Sequence, residues 1–240
     1  MDFSDWAIIK TYLGISYRSE FLRVMERLQE AGVHYPDNYL ADLLRKYRGR
    51  RVRYPKILQR LGAPNIRKHF AYNRVLASPG TFLDYGCGTG DDIRAIVKDG
   101  FPLELITGYD VNENSVQLGF DFYLDRELLQ QRIVISPEFP FSPESFDIVY
   151  SGSVLHVLHS REKIEHYLVN AFAVLKANGM LFGSTLGSNH GSRLLRKKLV
   201  FRLNPDALDA ILGGLGFTDI EIQTYEKEQH ERLWFYARKP

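Results

Sequence analysis

Residues 84–90 combine a carboxylate with three alternate glycines, in the order Asp, Tyr, Gly, Cys, Gly, Thr, Gly. The apolar residues before them are typical of a short buried strand. Asp84 then falls near the carboxyl end of that strand, where open α/β sheets bind their ligands. The glycines adopt positive φ without a steric penalty and have no Cβ, so the backbone can turn sharply and approach a ligand. These glycines are Gly86, Gly88 and Gly90. The stretch therefore predicts a strand, a ligand-binding turn and a following helix.

The spacing of the glycines separates this turn from two common nucleotide-binding loops. Dinucleotide-binding proteins use Gly-x-Gly-x-x-Gly, and nucleoside triphosphatases follow their loop with Lys-Ser or Lys-Thr. Here Asp-x-Gly-x-Gly-x-Gly runs directly into two aspartates. A carboxylate at the end of the strand suits a cationic amino group better than a phosphate. The pattern therefore favours S-adenosylmethionine, which carries an ammonium and a sulfonium charge.

A second acidic residue ends the next apolar stretch. Residues 105–109 predict a strand, and Asp110 follows it, twenty residues beyond Gly90. In this class of fold, an acidic side chain at the end of the second strand accepts hydrogen bonds from ribose hydroxyls. The alternative is a solvated aspartate that caps the following helix. We expect Asp84 and Asp110 to be the polar anchors of the cofactor.

Three stretches of the chain, FLDYGCGTG, GYDVNENSV and FDIVYSGSVLHVL, resemble the class I S-adenosylmethionine-dependent methyltransferases. The resemblance covers residues 81–186. Within that superfamily, DDIRAIVKDGFP and LGFDFYLDRELL are similar to small-molecule O-methyltransferases of fungal secondary metabolism, including meroterpenoid carboxyl methyltransferases. The resemblance implies a methyl-transferring enzyme with an α/β fold, in which a doubly wound, mostly parallel seven-stranded sheet has Rossmann-like topology.

Residues 1–77 show no strand-like alternation and predict a helical cap. Four apolar residues share one face of a predicted helix in this cap: Phe21, Val24, Met25 and Leu28. The resemblance implies that the cap closes over the active site and contacts the substrate. Residues 78–240 are expected to form the cofactor-binding core, with residues 187–203 as a connector or an insertion. Further strands are predicted at residues 132–136, 146–150, 180–186, 217–225 and 232–237, the last two as an antiparallel hairpin.

Cofactor contacts are expected at the glycine turn and after the second, third and fourth strands. The predicted residues are Asp84, Tyr85, Gly86, Cys87, Gly88, Gly90, Asp110, Val111, Glu138 and Ser151. Many members of the resembled superfamily place an acidic residue just after the third strand, where it accepts a hydrogen bond from the adenine amino group. This chain has Ser-Pro-Glu-Phe at residues 136–139, so Glu138 would act from a shifted position. Phe139 or Phe141 would either stack on adenine or, as we favour, pack in the turn.

Residues 151–160, which follow the fourth strand, carry the candidate catalytic group. His156 and His159 are three residues apart, so in a helix they would share one face and could look toward the substrate cleft. His156 is the candidate general base, which a phenol, enol or alcohol acceptor needs and an ionised carboxylate does not. We assign substrate contacts to His159 and to Tyr54 of the cap. Either histidine could instead be a hydrogen-bonded helix residue without a chemical role.

A metal site is the third interpretation of the two histidines. Their spacing suits metal ligands, but no glutamate lies between them and the chain has no HExxH pattern. The sequence therefore favours a protein without a metal.

The composition is that of an ordinary globular chain, with 45% hydrophobic and 25% charged residues and a formal charge of +2. This charge gives no global indication of a nucleic-acid or membrane partner, and no apolar run approaches membrane-spanning length. Cys87 is the single cysteine, so it has no internal disulfide partner, which fits a reducing compartment. We expect a soluble, cytoplasmic protein.

Residues 45–56 place seven cations in twelve residues. Three interpretations stay open: a solvated connector, an RNA-binding stretch, or an arginine among Arg48, Arg51 and Arg53 that clamps a substrate carboxylate.

The favoured function is methyl transfer to an oxygen nucleophile of a mainly apolar small molecule. The alternatives are a nucleic-acid methyltransferase and a cofactor-binding protein without transfer activity. Against methylation of exocyclic base nitrogens, residues 150–153 lack the Asn or Asp followed by two prolines and an aromatic residue that such enzymes typically use.

Overall fold

The computed structural model of the protein describes residues 18–46, 61–188, 193–195, 200–227 and 230–240. Its strands are β1 (Phe82–Tyr85), β2 (Ile106–Asp110), β3 (Ile133–Ile135), β4 (Phe146–Gly152), β5 (Leu175–Leu186), β6 (Arg193–Leu195), β7 (Val200–Arg202), β8 (Thr218–Lys227) and β9 (His230–Arg238). The α-helices in these residues are α1 (Arg18–Glu30), α2 (Tyr39–Lys46), α3 (Tyr72–Ala77), α4 (Asp91–Lys98), α5 (Glu113–Tyr123), α6 (Arg126–Leu129), α7 (Arg161–Val174) and α8 (Pro205–Gly214).

Seven of the strands form one sheet in the order β3-β2-β1-β4-β5-β9-β8. The first five strands in this order are parallel, and β9 is antiparallel to both of its neighbours. The strand order reverses between β1 and β4, and open α/β sheets bind ligands outside the carboxyl ends of the strands at such a point. The predicted doubly wound, mostly parallel seven-stranded sheet is confirmed, and so is its terminal antiparallel hairpin.

Alternation along the strands divides the core between the two faces of the sheet. Phe82, Tyr150 and Phe182 lie on one face, in a buried cluster with residues of α3, α4 and α5. Leu83 and Tyr85 lie on the other face, in a cluster with residues of α7 and α8. We call these the α4 face and the α7 face. Asp84 alternates with Leu83 and Tyr85 and therefore belongs to the α4 face.

The described N-terminal helices pack on α5. The four apolar residues predicted to share a helix face are buried on α1, which confirms that stripe: Phe21, Val24, Met25 and Leu28. They form one cluster with Leu118 and Phe122 of α5 and with residues of α2. The Tyr39 hydroxyl also donates a hydrogen bond to the main-chain oxygen of Asp121, at 2.8 Å. The closure of residues 1–77 over the active site stays a prediction.

A buried histidine in the segment before α3 forms hydrogen bonds to strands β5 and β9. The Nε2 atom of His69 lies 3.1 Å from the carbonyl oxygen of Gly183 on β5 and 3.0 Å from that of Phe235 on β9. Its Nδ1 accepts a hydrogen bond from the Ala71 N–H at 3.0 Å, so Nε2 carries the proton. Burial lowers the pKa of His69 to about 4, which keeps the ring neutral near neutral pH.

The two ends of the predicted connector, residues 187–203, lie next to each other. The main-chain N–H of Ser188 donates to the oxygen of Leu203 at 3.0 Å, and Gly187 forms an isolated bridge with the same residue. Between these ends, β6 and β7 pair with each other in antiparallel fashion. This geometry fits an excursion from the core, and its role as an insertion stays a prediction.

Candidate active site

The glycine turn after β1 has the backbone that its sequence predicts. The φ angles of Gly86, Gly88 and Gly90 are +87°, +56° and +74°, all in the region that favours glycine. The N–H groups of Gly86 and Cys87 donate to the carbonyl oxygen of Tyr109, at 2.8 and 3.0 Å, and these bonds fix the turn to β2. Among the described residues other than its two chain neighbours, no atom would lie within 4 Å of a Cβ on Gly88. The backbone at Gly88 therefore borders open space.

Asp84 is a carboxylate buried at the start of this turn, with 2% of its surface exposed. Burial raises its pKa well above the usual range, and the nearby carboxylates of Asp92, Asp110 and Asp91 raise it further. Within the described part of the chain, no cation forms an ion pair with it. A buried charge in such surroundings is stabilised by a cation that enters the site. The position therefore suits the ammonium group of a ligand.

Asp110, at the end of β2, holds the turn through its carboxylate. One oxygen accepts a hydrogen bond from the N–H of Gly88 at 2.7 Å, and the other accepts from the N–H of Asn112 at 2.7 Å. Each carboxylate oxygen has two lone pairs, so an oxygen that accepts one hydrogen bond can accept a second. Asp110 thus lies directly beside the turn, with 9% of its surface exposed. This position fits its predicted role toward ribose hydroxyls.

Two apolar side chains are exposed beside Asp110. Val111, a predicted cofactor contact, is 44% exposed, and Ile135, at the end of β3, is 38% exposed. Ile135 is the register partner of Asp110, so the two residues are neighbours at the same edge of the sheet. The sequence reasoning missed Ile135, because it searched for an adenine contact only after the third strand. Together these side chains offer an apolar surface next to the acidic anchor.

Arg94 on α4 forms a hydrogen bond to the glycine turn. The sequence reasoning did not identify this residue. Its guanidinium forms a bidentate pair with Asp125 at 2.6 and 2.7 Å. A third hydrogen bond, of 2.5 Å, goes to the carbonyl oxygen of Thr89 within the turn. The guanidinium also lies 3.9 Å from the centroid of the Tyr123 ring, a cation–π distance. Arg94 therefore joins the turn to α5 and to the residues that follow it.

Asp91 and Asp92 occupy the first turn of α4, as predicted, and they also bind the segment before α3. One oxygen of Asp91 accepts from the N–H of Gly62 at 2.8 Å. One oxygen of Asp92 accepts from the N–H groups of Asn65 and Ile66, at 2.7 and 2.8 Å. The helix that begins at the glycine turn is therefore tied to residues 62–66, which belong to the predicted cap.

The two histidines after β4 do not share a helix face, so that prediction is wrong. His156 lies in a single 3₁₀ turn, His159 has a φ of +64°, and α7 begins only at Arg161. The cause is Ser160, whose hydroxyl accepts from the N–H of Lys163 at 3.2 Å and caps α7. His156 is buried with Nδ1 3.3 Å from the Thr185 hydroxyl, whereas His159 is exposed. The catalytic role of His156 and the substrate contact at His159 stay predictions.

Three predicted cofactor residues have side chains that face the protein. The Tyr85 ring stacks on Tyr167 with centroids 3.8 Å apart on the α7 face, and burial raises its pKa to about 12. The buried Ser151 hydroxyl lies 2.9 Å from the Tyr167 hydroxyl. Burial and the charges of Asp84 and Asp110 raise the pKa of the Cys87 thiol. Contacts from these residues to a cofactor would therefore come mainly from the backbone.

Of the residues considered for adenine recognition after β3, one is exposed to solvent and two pack against the core. Glu138 is exposed. The Phe139 ring packs 4.7 Å from the Tyr85 ring, and Phe141 packs 5.2 Å from Phe146, both between ring centroids. The two phenylalanines thus take the packing role that we favoured. The contact at Glu138 stays a prediction.

The basic run is described only at its beginning, where both cations are paired. Arg45 forms an ion pair with Asp42 at 2.5 Å, and Lys46 forms one with Asp121 at 2.6 Å. Other predicted substrate residues lie outside the described residues: Tyr54, Arg48, Arg51 and Arg53.

Two kinds of feature are absent from the part of the chain that the structure describes. No three or more His, Cys, Asp or Glu side chains there are grouped to hold a metal ion. None of the helices in those residues is long and apolar enough to cross a membrane.

Comparison with known proteins identifies relatives with short matches. The O-methyltransferase phiE of a fungal species is 29% identical over 104 residues, which cover 39% of this chain and 35% of that protein. The asnovolin E/chermesin D methyltransferase nvfJ of Aspergillus novofumigatus is 36% identical over 53 residues, 22% of this chain and 19% of that protein. The chain thus spans about a third or less of the length of these curated relatives.

Two solved structures share the fold at low identity. One is the 1,6-didemethyltoxoflavin-N1-methyltransferase of Burkholderia thailandensis, solved with bound 1,6-didemethyltoxoflavin and S-adenosylhomocysteine. It matches with a TM-score of 0.57 and 20% identity, and the match covers 94% of this chain and 91% of that one. The other is the [4+2]-cyclase SpnF, with a TM-score of 0.57, 18% identity, and coverage of 76% and 83%. The family model described as "Methyltransferase domain" matches residues 44–237. The chain therefore belongs to the methyltransferase domain family, whose methyl donor is S-adenosylmethionine.

Proposed function

We propose that this chain binds S-adenosylmethionine at the glycine turn and transfers its methyl group to an oxygen nucleophile of a small organic molecule. The observation that carries the proposal is the buried Asp84 carboxylate, which opens a turn of three glycines with positive φ. When bound, S-adenosylmethionine supplies an electrophilic methyl carbon on a sulfonium sulfur.

The described residues fit this cofactor in four respects. Asp84 offers a buried negative charge to the ammonium group. Asp110 lies directly beside the turn, bonded to the N–H of Gly88, and a carboxylate there is a suitable acceptor for ribose hydroxyls. Val111 and Ile135 give an exposed apolar surface beside Asp110 on which the adenine ring can lie. The open space at Gly88 leaves room for a ligand close to the backbone.

The remaining task of the protein is to align the acceptor and to exclude water. The methyl donor is already activated, so holding the nucleophile in line with the methyl carbon supplies most of the catalysis. We place the acceptor between the N-terminal residues and residues 151–159, beyond the carboxyl ends of β4 and β5. The names of two similar proteins, which act on asnovolin E or chermesin D and on 1,6-didemethyltoxoflavin, support a small molecule.

The test compares Asp84→Asn with the matched control Asp147→Asn. The Asp147 carboxylate lies at the opposite edge of the sheet, where it accepts from the N–H of Thr81 at 2.8 Å and from Lys176 at 2.9 Å. Asp84→Asn should weaken binding of S-adenosylhomocysteine about tenfold or more in calorimetry, because it removes a charged partner of the ammonium group. It should also raise the melting temperature, because a carboxyl whose pKa is raised by burial destabilises the fold when ionised.

The control variant Asp147→Asn should lower the melting temperature and leave binding unchanged. Burial alone would raise the pKa of Asp147, but its hydrogen bonds from Thr81 and Lys176 outweigh burial and lower it, so the ionised carboxylate stabilises the fold. Transfer itself is measured with S-adenosylmethionine labelled in the methyl group and a metabolite extract. Label in small organic products supports the proposal. Label only in RNA contradicts the choice of acceptor, and binding without any labelled product contradicts transfer.

A further inference from the structure

The two central strands of the sheet stop pairing at the proposed cofactor site. The register of β1 and β4 ends at the pair Asp84 and Tyr150, although both strands continue beyond it. The next residues along the two strands are Tyr85 and Ser151. The strand order reverses here, so the helices that follow β1 and β4 cover opposite faces of the sheet and a crevice opens between the strand ends.

Tyr167 on α7 joins the two residues at which the strands separate. Its hydroxyl oxygen lies 2.7 Å from the main-chain oxygen of Tyr85 and 2.9 Å from the hydroxyl oxygen of Ser151. A carbonyl oxygen accepts hydrogen bonds and cannot donate them, so Tyr167 donates its one proton to Tyr85. The Ser151 hydroxyl must then donate to the Tyr167 oxygen. The two hydrogen bonds therefore run in one direction, from β4 through α7 to β1.

The Tyr167 hydroxyl is held in place by its surroundings. The side chain is 6% exposed, and its ring stacks on that of Tyr85 with an angle of 19° between the planes. Burial and the neighbouring Tyr85 raise its pKa well above the usual range, against the effect of the bond from Ser151. The charges of Asp84 and Asp110 raise it as well, since the hydroxyl lies within electrostatic reach of both proposed anchors. The hydroxyl therefore keeps its proton and its donated bond near neutral pH.

The peptide unit between Tyr85 and Gly86 is bound at both of its polar groups. Its carbonyl oxygen accepts from Tyr167, and its N–H donates to the carbonyl oxygen of Tyr109 on β2 at 2.8 Å. A peptide unit is planar, so two bonds to opposite sides fix its orientation. This orientation sets the direction in which the glycine turn leaves β1.

We propose that Tyr167 is a positioning residue that holds the start of the glycine turn and the end of β4 at a fixed separation across the cofactor crevice. The inference rests on the proposed function and deepens it. Tyr167 acts on the cofactor through Tyr85 and Ser151, not by contact. The turn holds the methyl donor and the residues after β4 face the acceptor, so this separation governs the alignment of the nucleophile with the methyl carbon.

The first experiment removes the hydroxyl and keeps the ring, in Tyr167→Phe. Binding of S-adenosylhomocysteine should weaken about 3- to 10-fold in calorimetry, the scale of one lost hydrogen bond. Tyr72→Phe is the matched control, because Tyr72 is also 6% exposed and its hydroxyl donates to Asp99 at 2.6 Å, at the opposite edge of the sheet. The control should lower the melting temperature and leave affinity unchanged. Unchanged affinity in Tyr167→Phe, or an equal loss in Tyr72→Phe, would overturn the inference.

A double-mutant cycle tests whether Ser151 acts through Tyr167. Ser151→Ala removes the donor to the Tyr167 oxygen and should weaken binding of S-adenosylhomocysteine less than Tyr167→Phe does. The double variant should then bind no more weakly than Tyr167→Phe alone, because the bridge is already broken. Losses that multiply would show that the two hydroxyls act independently, and the bridge would be refuted.

Hydrogen exchange separates this inference from the proposed function. In the wild-type protein, S-adenosylhomocysteine should slow amide exchange both at residues 86–90 and at residues 151–155. In Tyr167→Phe saturated with the same ligand, protection should persist at residues 86–90 and be lost at residues 151–155. Equal protection of residues 151–155 in the two proteins, or none in either, would overturn the role of Tyr167 alone. Absence of protection at residues 86–90 in the wild-type protein would contradict the proposed cofactor site itself.

Discussion

Replacement of Gly88 by alanine separates ligand binding from folding at the cofactor turn. The φ angle of Gly88 is +56°, and in the described part of the chain no atom beyond its two neighbours would lie within 4 Å of a Cβ there. The substitution therefore creates no clash with the described residues and should cost about 1–2 kcal/mol of stability for the left-handed backbone. In a chain of this size, each kcal/mol lowers the melting temperature by roughly 2–4 °C. The added methyl group would, however, occupy space that the cofactor needs.

Calorimetric titration with S-adenosylhomocysteine measures that second effect, with Gly100→Ala as the control. Gly100 also has a positive φ, +99°, and open space around its Cβ position, but it follows α4 at the opposite edge of the sheet. Gly88→Ala should lose at least tenfold in affinity, or about 1.4 kcal/mol, whereas Gly100→Ala should lose stability alone. Equal affinities in the two variants would show that the turn at Gly88 faces solvent, and this would refute the assignment of the cofactor site.

Three further predictions concern Asp110, His156 and His69. Asp110→Ala should weaken cofactor binding by about 1–3 kcal/mol, because the ribose hydroxyls and the Gly88 N–H lose their acceptor, and unchanged calorimetric affinity would contradict this. His156→Ala should retain turnover of carboxylic acids across pH, because an ionised acceptor needs no base; a large loss in a pH–rate profile would assign it a chemical role. His69 has a pKa of about 4 against 6.5 ordinarily, so only the unfolded chain binds its proton between these values. Stability should fall by about 3 kcal/mol as pH falls through this window, and denaturant titrations of His69→Phe should lack that part of the slope.

The glycine turn and the strands beside it could be predicted because their determinants are local. Positive φ at alternate positions requires glycine, and a short apolar stretch before an aspartate gives a buried strand that ends in a carboxylate. The break between His156 and α7 was also encoded locally, in the capping residue Ser160, and it was missed because three-residue spacing was taken as sufficient for a helix. Residue spacing predicts a shared face only after the bounds of the helix are known.

The supporting contacts of the site could not be predicted, because they join residues that are distant in the sequence. Arg94 and Asp125 are 31 residues apart, and Tyr167 lies 82 residues from Tyr85. Nothing in the local sequence of any of these residues distinguishes it from an arginine, aspartate or tyrosine elsewhere in the chain.

The position of β9 has a consequence for how the protein folds. This strand follows the other strands of the sheet in sequence, yet it lies between β5 and β8. Until β9 is inserted, β5 has an unpaired edge beside apolar residues such as Leu181 and Phe182, and such an edge can pair with a second chain. The contact between His69 and Phe235 closes a separation of 166 residues, and contacts of this range form slowly. A chain arrested before this late step should therefore expose an aggregation-prone edge while its glycine turn is already formed.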